Sequence, residues 1–299
     1  MTLDDLIYKP GLLTGGRILV TGGGTGLGRV MTEALALLGA TVYICGRRGA
    51  VVEKTAEELT AAHGWQTGRV VPLVCDIRDD VAIMGMLDAI WADGGALTGL
   101  INNAAGNFVS RTEDLSPRAF DAVSSIVFRG SFCTTLECGK RWLAEGRKAS
   151  VVSILTTWVW NGSPYTVPSA MSKAGLHAMT QSLAVEWGGR GIRFNAIAPG
   201  LFPTEGMSAR LNPGGGEHQV EGNPMGRSGQ MPELANLAVF LMSPGSEYLT
   251  GQTIAIDGGQ YQATGGNFSA LSSMTDGDWQ QARTSIQRRN AADRAQRDA

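Results

Sequence analysis

The chain has 299 residues, 43% hydrophobic and 17% charged, with a formal net charge of −2. That length and composition allow one large α/β domain or two small ones, with a substantial core. The near-neutral balance gives no basic field, which argues against nucleic acid as a main partner.

Ile18, Leu19 and Val20 form the first apolar run, and the glycine-rich turn TGGGTGLG follows from Thr21 to Gly28. An apolar-periodic stretch, Val30 to Leu38, comes next, so the order is strand, tight turn, helix. Glycines at 22, 24, 26 and 28 let phosphates approach the main chain, and a helix starting near Gly26 offers unpaired N–H groups. The residues expected to hold a dinucleotide here are Thr21, Gly22, Gly24, Thr25, Gly26, Leu27 and Gly28. A second strand is expected over Ala40–Cys45, with Arg47 and Arg48 just past its end and no acid between Val42 and Arg48. Arginine at that place accommodates a 2′-phosphate, which points to NADP(H).

A helix over Val51–Ala62 and a third strand over Arg69–Cys75 are followed by Asp76 and Ile77. An acid there can accept from an adenine amino group while the aliphatic neighbour packs on the ring; the same acid can cap a helix over Asp79–Trp91. The fourth strand, Leu97–Ile101, leads into NNAAGNF, Asn102–Phe108. Asn103, Ala104 and Ala105 are expected against the cofactor, Asn102 or Asn103 to tie strands together, and Asn107 to project toward the nicotinamide. Ser116-Pro117 opens a long helix expected to run past Gly130 to Arg141. The fifth strand, Ala149–Leu155, ends at Thr156, Thr157 and Trp158.

Pro168–Trp187 reads as a helix on which Ser169 and Lys173 share one side, being one turn apart. Gly191–Ala198 is the sixth strand, ending at Pro199-Gly200. Leu201–Gly229, rich in glycine and proline, is expected as a mobile lid over the substrate. Pro232–Leu241 is a helix and Gln252–Ile256 the last strand. The fold class is therefore α/β: a Rossmann-type, doubly wound parallel sheet of about seven strands, helices on both faces. Residues 1–261 form a single domain. The extension 262–299 is polar, either a solvated end or a helix over Asp276–Arg297 docked on the domain or another subunit. The four cysteines and three histidines show no metal-ligand spacing, so no metal is expected. There is no apolar run of about 18 residues, so no membrane span is expected. Met1–Gly16 lacks signal-peptide regions, so the protein is expected to be soluble and cytoplasmic.

The combination of TGGGTGLG, NNAAG (Asn102–Gly106), Lys173 and RFNAIAPG (Arg193–Gly200) resembles the short-chain dehydrogenase/reductase family from about Leu13 to Gln260. The resemblance implies a seven-stranded parallel sheet, a cofactor site that takes in Lys173, Pro199 and Gly200, and homotetramers. Most members carry Tyr four residues before the lysine, where this chain has Ser169. Most also carry Asn three residues before the glycine matching Gly130, where it has Val127. The branch that looks like this is the 2,4-dienoyl-CoA reductases, similar in LSPRAF (Leu115–Phe120), TLECGK (Thr135–Lys140) and VPSAMSKAG (Val167–Gly175).

That likeness implies an acyl-CoA substrate, with Asn107, Ser169 and Lys173 in the active site and Phe108 and Ser116 near the substrate. Mitochondrial-type members place a catalytic Tyr where this chain has Trp158, and peroxisomal-type members an acid where it has Val127. The donor to the thioester oxygen is therefore open among Asn107, Trp158 and Tyr165. Two alternatives stand beside this reading: another NADP-dependent reductase of a carbonyl or enoyl thioester, with Tyr165 as donor, or a non-catalytic nucleotide-binding protein.

Overall fold

Each β-branched run of the sequence becomes one strand of a single sheet. The strands are β1 (Arg17–Thr21), β2 (Thr41–Gly46), β3 (Arg69–Val74), β4 (Gly99–Asn102), β5 (Ala149–Ile154), β6 (Ile192–Pro199) and β7 (Thr253–Ile256). The computed structural model describes residues 1–65, 68–204, 222–264, 271 and 273–297. All strand pairs are parallel, in the order β3-β2-β1-β4-β5-β6-β7. β1 pairs with both β2 and β4. The winding reverses between β1 and β4, which opens a crevice at their carboxyl ends where such sheets bind ligands.

The helices are α1 (Gly26–Leu37), α2 (Gly49–His63), α3 (Asp80–Gly94), α4 (Pro117–Ser124), α5 (Ser131–Glu145), α6 (Trp158–Asn161), α7 (Val167–Gly188), α8 (Met231–Met242), α9 (Gln260–Ala263) and α10 (Asp276–Arg297). The period-two pleat divides the core. Ile18, Val20, Val42 and Ile44 pack with α1, α2 and α8, whereas Leu19, Tyr43 and Cys45 pack with α3, α5 and α7. Both faces are covered, so the central strands read as continuous apolar runs rather than alternating ones.

The helix expected from Ser116 to Arg141 is not uniform. It is interrupted by a π-helical stretch, Ser125–Gly130, and ends at Glu145. Gly130 lies against the loop after β3: a Cβ there would stand 2.9 Å from the Ile77 carbonyl oxygen and 2.8 Å from Ile77 Cγ1. The wide turn brings this backbone close to Ile77 and sets Val127 fully inside, among Val123, Leu155 and Leu176. α6 is a further helix that apolar periodicity did not signal. The tail does form a helix, Asp276–Arg297. Thr275 Oγ1 donates to Asp278 Oδ2 (2.6 Å) and accepts from the Asp278 N–H (3.3 Å), a reciprocal start signal. Its first turn is exposed. Most of the expected lid, residues 205–221, lies outside the described residues.

Candidate active site

The glycine turn after β1 is shaped by two left-handed residues and two close approaches. Gly22 (φ +67°) and Gly26 (φ +52°) adopt the left-handed region that side chains disfavour. A Cβ on Gly22 would sit 2.9 Å from Ala104 Cα, and one on Gly28 would reach Asn103 Nδ2 at 2.5 Å. The turn is thus pressed against the loop after β4. Thr25 stands at the start of α1 without capping it through its side chain, so the first-turn N–H groups remain available to an anion. This cradle fits a pyrophosphate.

Thr21 and Asn103 fix the neighbouring loop. Thr21 Oγ1 accepts from the N–H groups of Asn103 and Ala104, both at 3.0 Å. Asn103 Nδ2 donates to the carbonyls of Thr21 (3.0 Å) and Gly22 (3.2 Å). Asn103 is therefore the tie between strands. Asn102, one residue earlier and on the opposite face, donates to Thr135 Oγ1 on α5 at 2.8 Å. Past β2, Arg47 and Arg48 are exposed and make no side-chain hydrogen bond or ion pair with described residues. Asp76 is gripped by Arg78, with Nε at 3.0 Å from both carboxylate oxygens. That contact first, then the positive charge of Arg47 among smaller causes, holds the carboxyl below its usual range. Ile77 is buried against Gly130.

At the carboxyl end of β5 the chemistry converges. Lys173, only 5% exposed, crosses from α7 to donate its Nζ to the Ile154 carbonyl. Burial pulls its ammonium down to about 8. Ser169 is buried one turn earlier on the same helix. Pro199 closes β6, and Gly200 donates to the Ile256 carbonyl at 3.0 Å, pinning that corner. Asn107 Oδ1 accepts the Phe108 N–H at 2.9 Å, and no described residue accepts from its amide nitrogen. Phe108 packs on the apolar cluster of Val127 and Leu155. Ser116 is exposed and caps α4, accepting from the Ala119 N–H at 3.2 Å. Trp158 opens α6, half-buried. Tyr165 is 57% exposed, and its backbone is left-handed at φ +64°, alone among the described non-glycine residues. Its carbonyl accepts the Ser110 N–H at 2.9 Å, joining two loops above the sheet.

One residue here was not singled out from the sequence. Thr156 Oγ1, two residues past Ile154, is buried without a hydrogen-bond partner. A buried hydroxyl left unpaired is costly and calls for an explanation; Thr32 Oγ1, Asn102 Oδ1 and Ser131 Oγ share the condition, but only Thr156 follows the strand end where Lys173 arrives. Its only sequence signal is position: the first polar side chain after an apolar strand whose carboxyl end faces the crevice. Among the described residues no group of three or more His, Cys, Asp or Glu is placed to hold a metal ion, and no helix is long and apolar enough to cross a membrane. All four cysteines are free.

A glycine turn with first-turn N–H groups left open, a buried lysine at the end of β5 and a doubly wound sheet make the frame on which nucleotide-dependent oxidoreductases are built. The family model for enoyl-(acyl carrier protein) reductase matches residues 22–261. The chain belongs to the short-chain dehydrogenase/reductase family. It is 39% identical to a protein of Caenorhabditis elegans named "Probable 2,4-dienoyl-CoA reductase", of the (3E)-enoyl-CoA-producing type, over 97% of this chain and 95% of that one. The solved structure of a citronellol catabolism dehydrogenase from Pseudomonas aeruginosa superposes with a TM-score of 0.75 at 34% identity, covering 86% of this chain and all of the other. A second structure from that organism, an NADP active-site complex of RhlG, has a TM-score of 0.74 at 27% identity, over 85% and 100%.

Proposed function

We propose that the protein reduces a 2,4-dienoyl-CoA with NADPH. The observation that carries the reading is a buried, unpartnered Thr156 hydroxyl two residues past the Ile154 carbonyl that accepts from the buried Lys173, with Val127 offering no acid. A ketone reduced to an alkoxide needs a proton delivered to oxygen. A dienoyl thioester needs its oxygen stabilised as a dienolate and is protonated at carbon, for which water suffices. Donors without an acid therefore suit the thioester.

When bound, the nicotinamide nucleotide supplies a hydride to the δ carbon of the substrate. The glycine turn from Thr21 to Gly28 holds the pyrophosphate, and Arg47 and Arg48 receive the 2′-phosphate. Asp76 and the main chain at Ile77 lie at the adenine side, and Asn103, Ala104 and Ala105 give the ring a flat backbone surface. Lys173 holds the ribose and raises the local positive potential. Thr156 Oγ1, the Asn107 amide and the Trp158 indole N–H are the donors to the thioester oxygen, while Ser169 orients the cofactor amide, the substrate or Lys173. Phe108 and Ser116 flank the acyl-CoA. Four free cysteines suit the reducing interior of a cytoplasmic protein. Exposed Phe128, Phe132 and Met171, on the π-helical stretch, α5 and α7, favour assembly into a homotetramer.

Steady-state oxidation of NADPH with a dienoyl-CoA, run beside NADH and beside the Arg47→Ala/Arg48→Ala double variant, tests the reading. Turnover with the dienoyl thioester is expected. A charge-assisted phosphate contact contributes about 1.5–3 kcal/mol, so NADPH is expected to bind tenfold to a hundredfold tighter than NADH, and the double variant to lose that margin. Turnover on a simple ketone but none on a dienoyl-CoA would overturn the substrate, and equal cofactor affinities the choice of NADPH.

A further inference from the structure

Beside the site stands a group of rings that the reaction as described does not use. Trp160 on α6 and Tyr261 on α9 lie with ring centroids 4.7 Å apart at 34°, and His177 meets the Trp160 ring edge-on at 6.2 Å and 75°. His177 is held in turn by Thr253 Oγ1 at 2.9 Å, so the stack rests on β7. Each ring blocks the rotation of the next, which makes the group a fixed surface rather than loose side chains.

Its place is set by two elements already at the site. Trp160 follows Trp158 by two residues on α6, and it packs on the same apolar cluster as Phe108. His177 follows Lys173 by four residues on α7 and therefore lies on the same face, about 6 Å farther along the axis. His177 meets Thr253, the first residue of β7, and so braces the stack from below the carboxyl edge of the sheet, while Trp160 and Tyr261 belong to elements that follow the carboxyl ends of β5 and β7. Both Trp160 and Tyr261 are half-buried, and neither the indole N–H nor the phenol hydroxyl has a hydrogen-bond partner among the described residues. Both rings thus keep part of their surface open while held against each other.

We infer that the Trp160–Tyr261 pair is the wall that ends the acyl-chain path and so limits substrate chain length. The inference rests on the acyl-CoA reading of this site. An apolar wall discriminates by one or two methylenes at roughly tenfold to two-hundredfold, so the pair sets a cut-off rather than a gradual preference.

Two measurements on Trp160→Ala, the milder Trp160→Leu, and Tyr261→Leu on a separate element test it, with thermal melting to confirm folding. The first is kcat/KM for NADPH oxidation with hexadienoyl-, decadienoyl- and hexadecadienoyl-CoA. The second is the dissociation constant of the matching saturated acyl-CoAs, which requires no turnover. The expected result is a rise of at least about tenfold in the long-to-short ratio of both quantities for Trp160→Ala, with smaller rises for the leucine variants. A length profile unchanged from wild type in folded variants overturns the wall and leaves the pair as a strut between α6 and α9. A shifted binding profile without dienoyl turnover keeps the wall and overturns the reaction. Failure of every acyl-CoA to bind overturns both.

Discussion

Thr156 and Lys173 show how single side chains divide between stability and chemistry. The Thr156 hydroxyl is buried and unpartnered, so removing it as Thr156→Val relieves an unpaired polar group. Unfolding free energy is expected to stay level or rise by about 1 kcal/mol. Turnover is expected to fall a hundredfold to a thousandfold if this oxygen donates to the dienolate, the usual cost of roughly 2.7–4 kcal/mol of barrier. Single-turnover kinetics on Thr156→Val and Trp158→Phe apportion the donors. A silent Thr156→Val beside a crippled Trp158→Phe would move the role to the indole.

Lys173 carries its signature in pH. Burial lowers its folded value to about 8, against an ordinary value of about 10.4. Between these limits the unfolded chain keeps the proton and the fold releases it. Stability contributed by this group therefore rises with pH through that window and is lowest below about 8. No charged neighbour contributes to the shift. In urea titrations the wild type is expected to gain up to about 3 kcal/mol on Lys173→Met between pH 8 and 10.5. A difference that stays constant with pH would show that Lys173 is not desolvated. The buried acids Tyr43 and Cys45, both raised by desolvation first, act oppositely but equally in the two proteins and cancel.

At the level of elements, the β1–α1 turn depends on backbone approach and α3 does not. A Cβ on Gly28 meets Asn103 Nδ2 at 2.5 Å and crowds the Gly22 carbonyl. Gly28→Ala is expected to cost about 1–3 kcal/mol from overpacking and to abolish nucleotide binding, since relief requires α1 to move off the turn. Gly85 in α3 has nothing within 4 Å of its Cβ position. Gly85→Ala is expected to stabilise by about 0.5–1 kcal/mol through lost unfolded-state freedom, with binding unchanged. Thermal melts with and without NADPH distinguish the two; similar behaviour of the variants would remove the special status of the turn. The motif at Gly22–Gly28 was readable because glycine spacing is a local requirement. The π-helical stretch was not, because it arises where Gly130 meets Ile77, 53 residues earlier in the chain. α6 escaped for another reason: four residues are too few to show a helical period.

For the whole molecule, exposed apolar side chains gather on the helices that cover one face. Phe128 is 45% exposed, Phe132 44% and Met171 56%. If copies of the chain bury them against one another, Phe132→Glu places unpaired charges in that contact. Light scattering is expected to show a tetramer for the wild type and smaller species for the variant, with the monomer fold intact by circular dichroism. A monomeric wild type would leave these side chains as ordinary exposed surface.

By itself the sequence determined seven strands in alternation with helices, the phosphate turn and the lysine helix, because periodicity, glycine spacing and one-turn offsets are properties of neighbouring residues. Its resemblance to a family carried the rest of the expected site. Only the tertiary structure decided that Asn103 rather than Asn102 joins the strands, that Asp76 is held by Arg78, and that Thr156 is buried without a partner. The same is true of the stacking of Trp160 on Tyr261, residues 101 positions apart. Such facts depend on which face a residue takes and what distant chain arrives opposite it. No local pattern encodes the arrival of a partner from another element; the packing of the sheet against its two helix layers does.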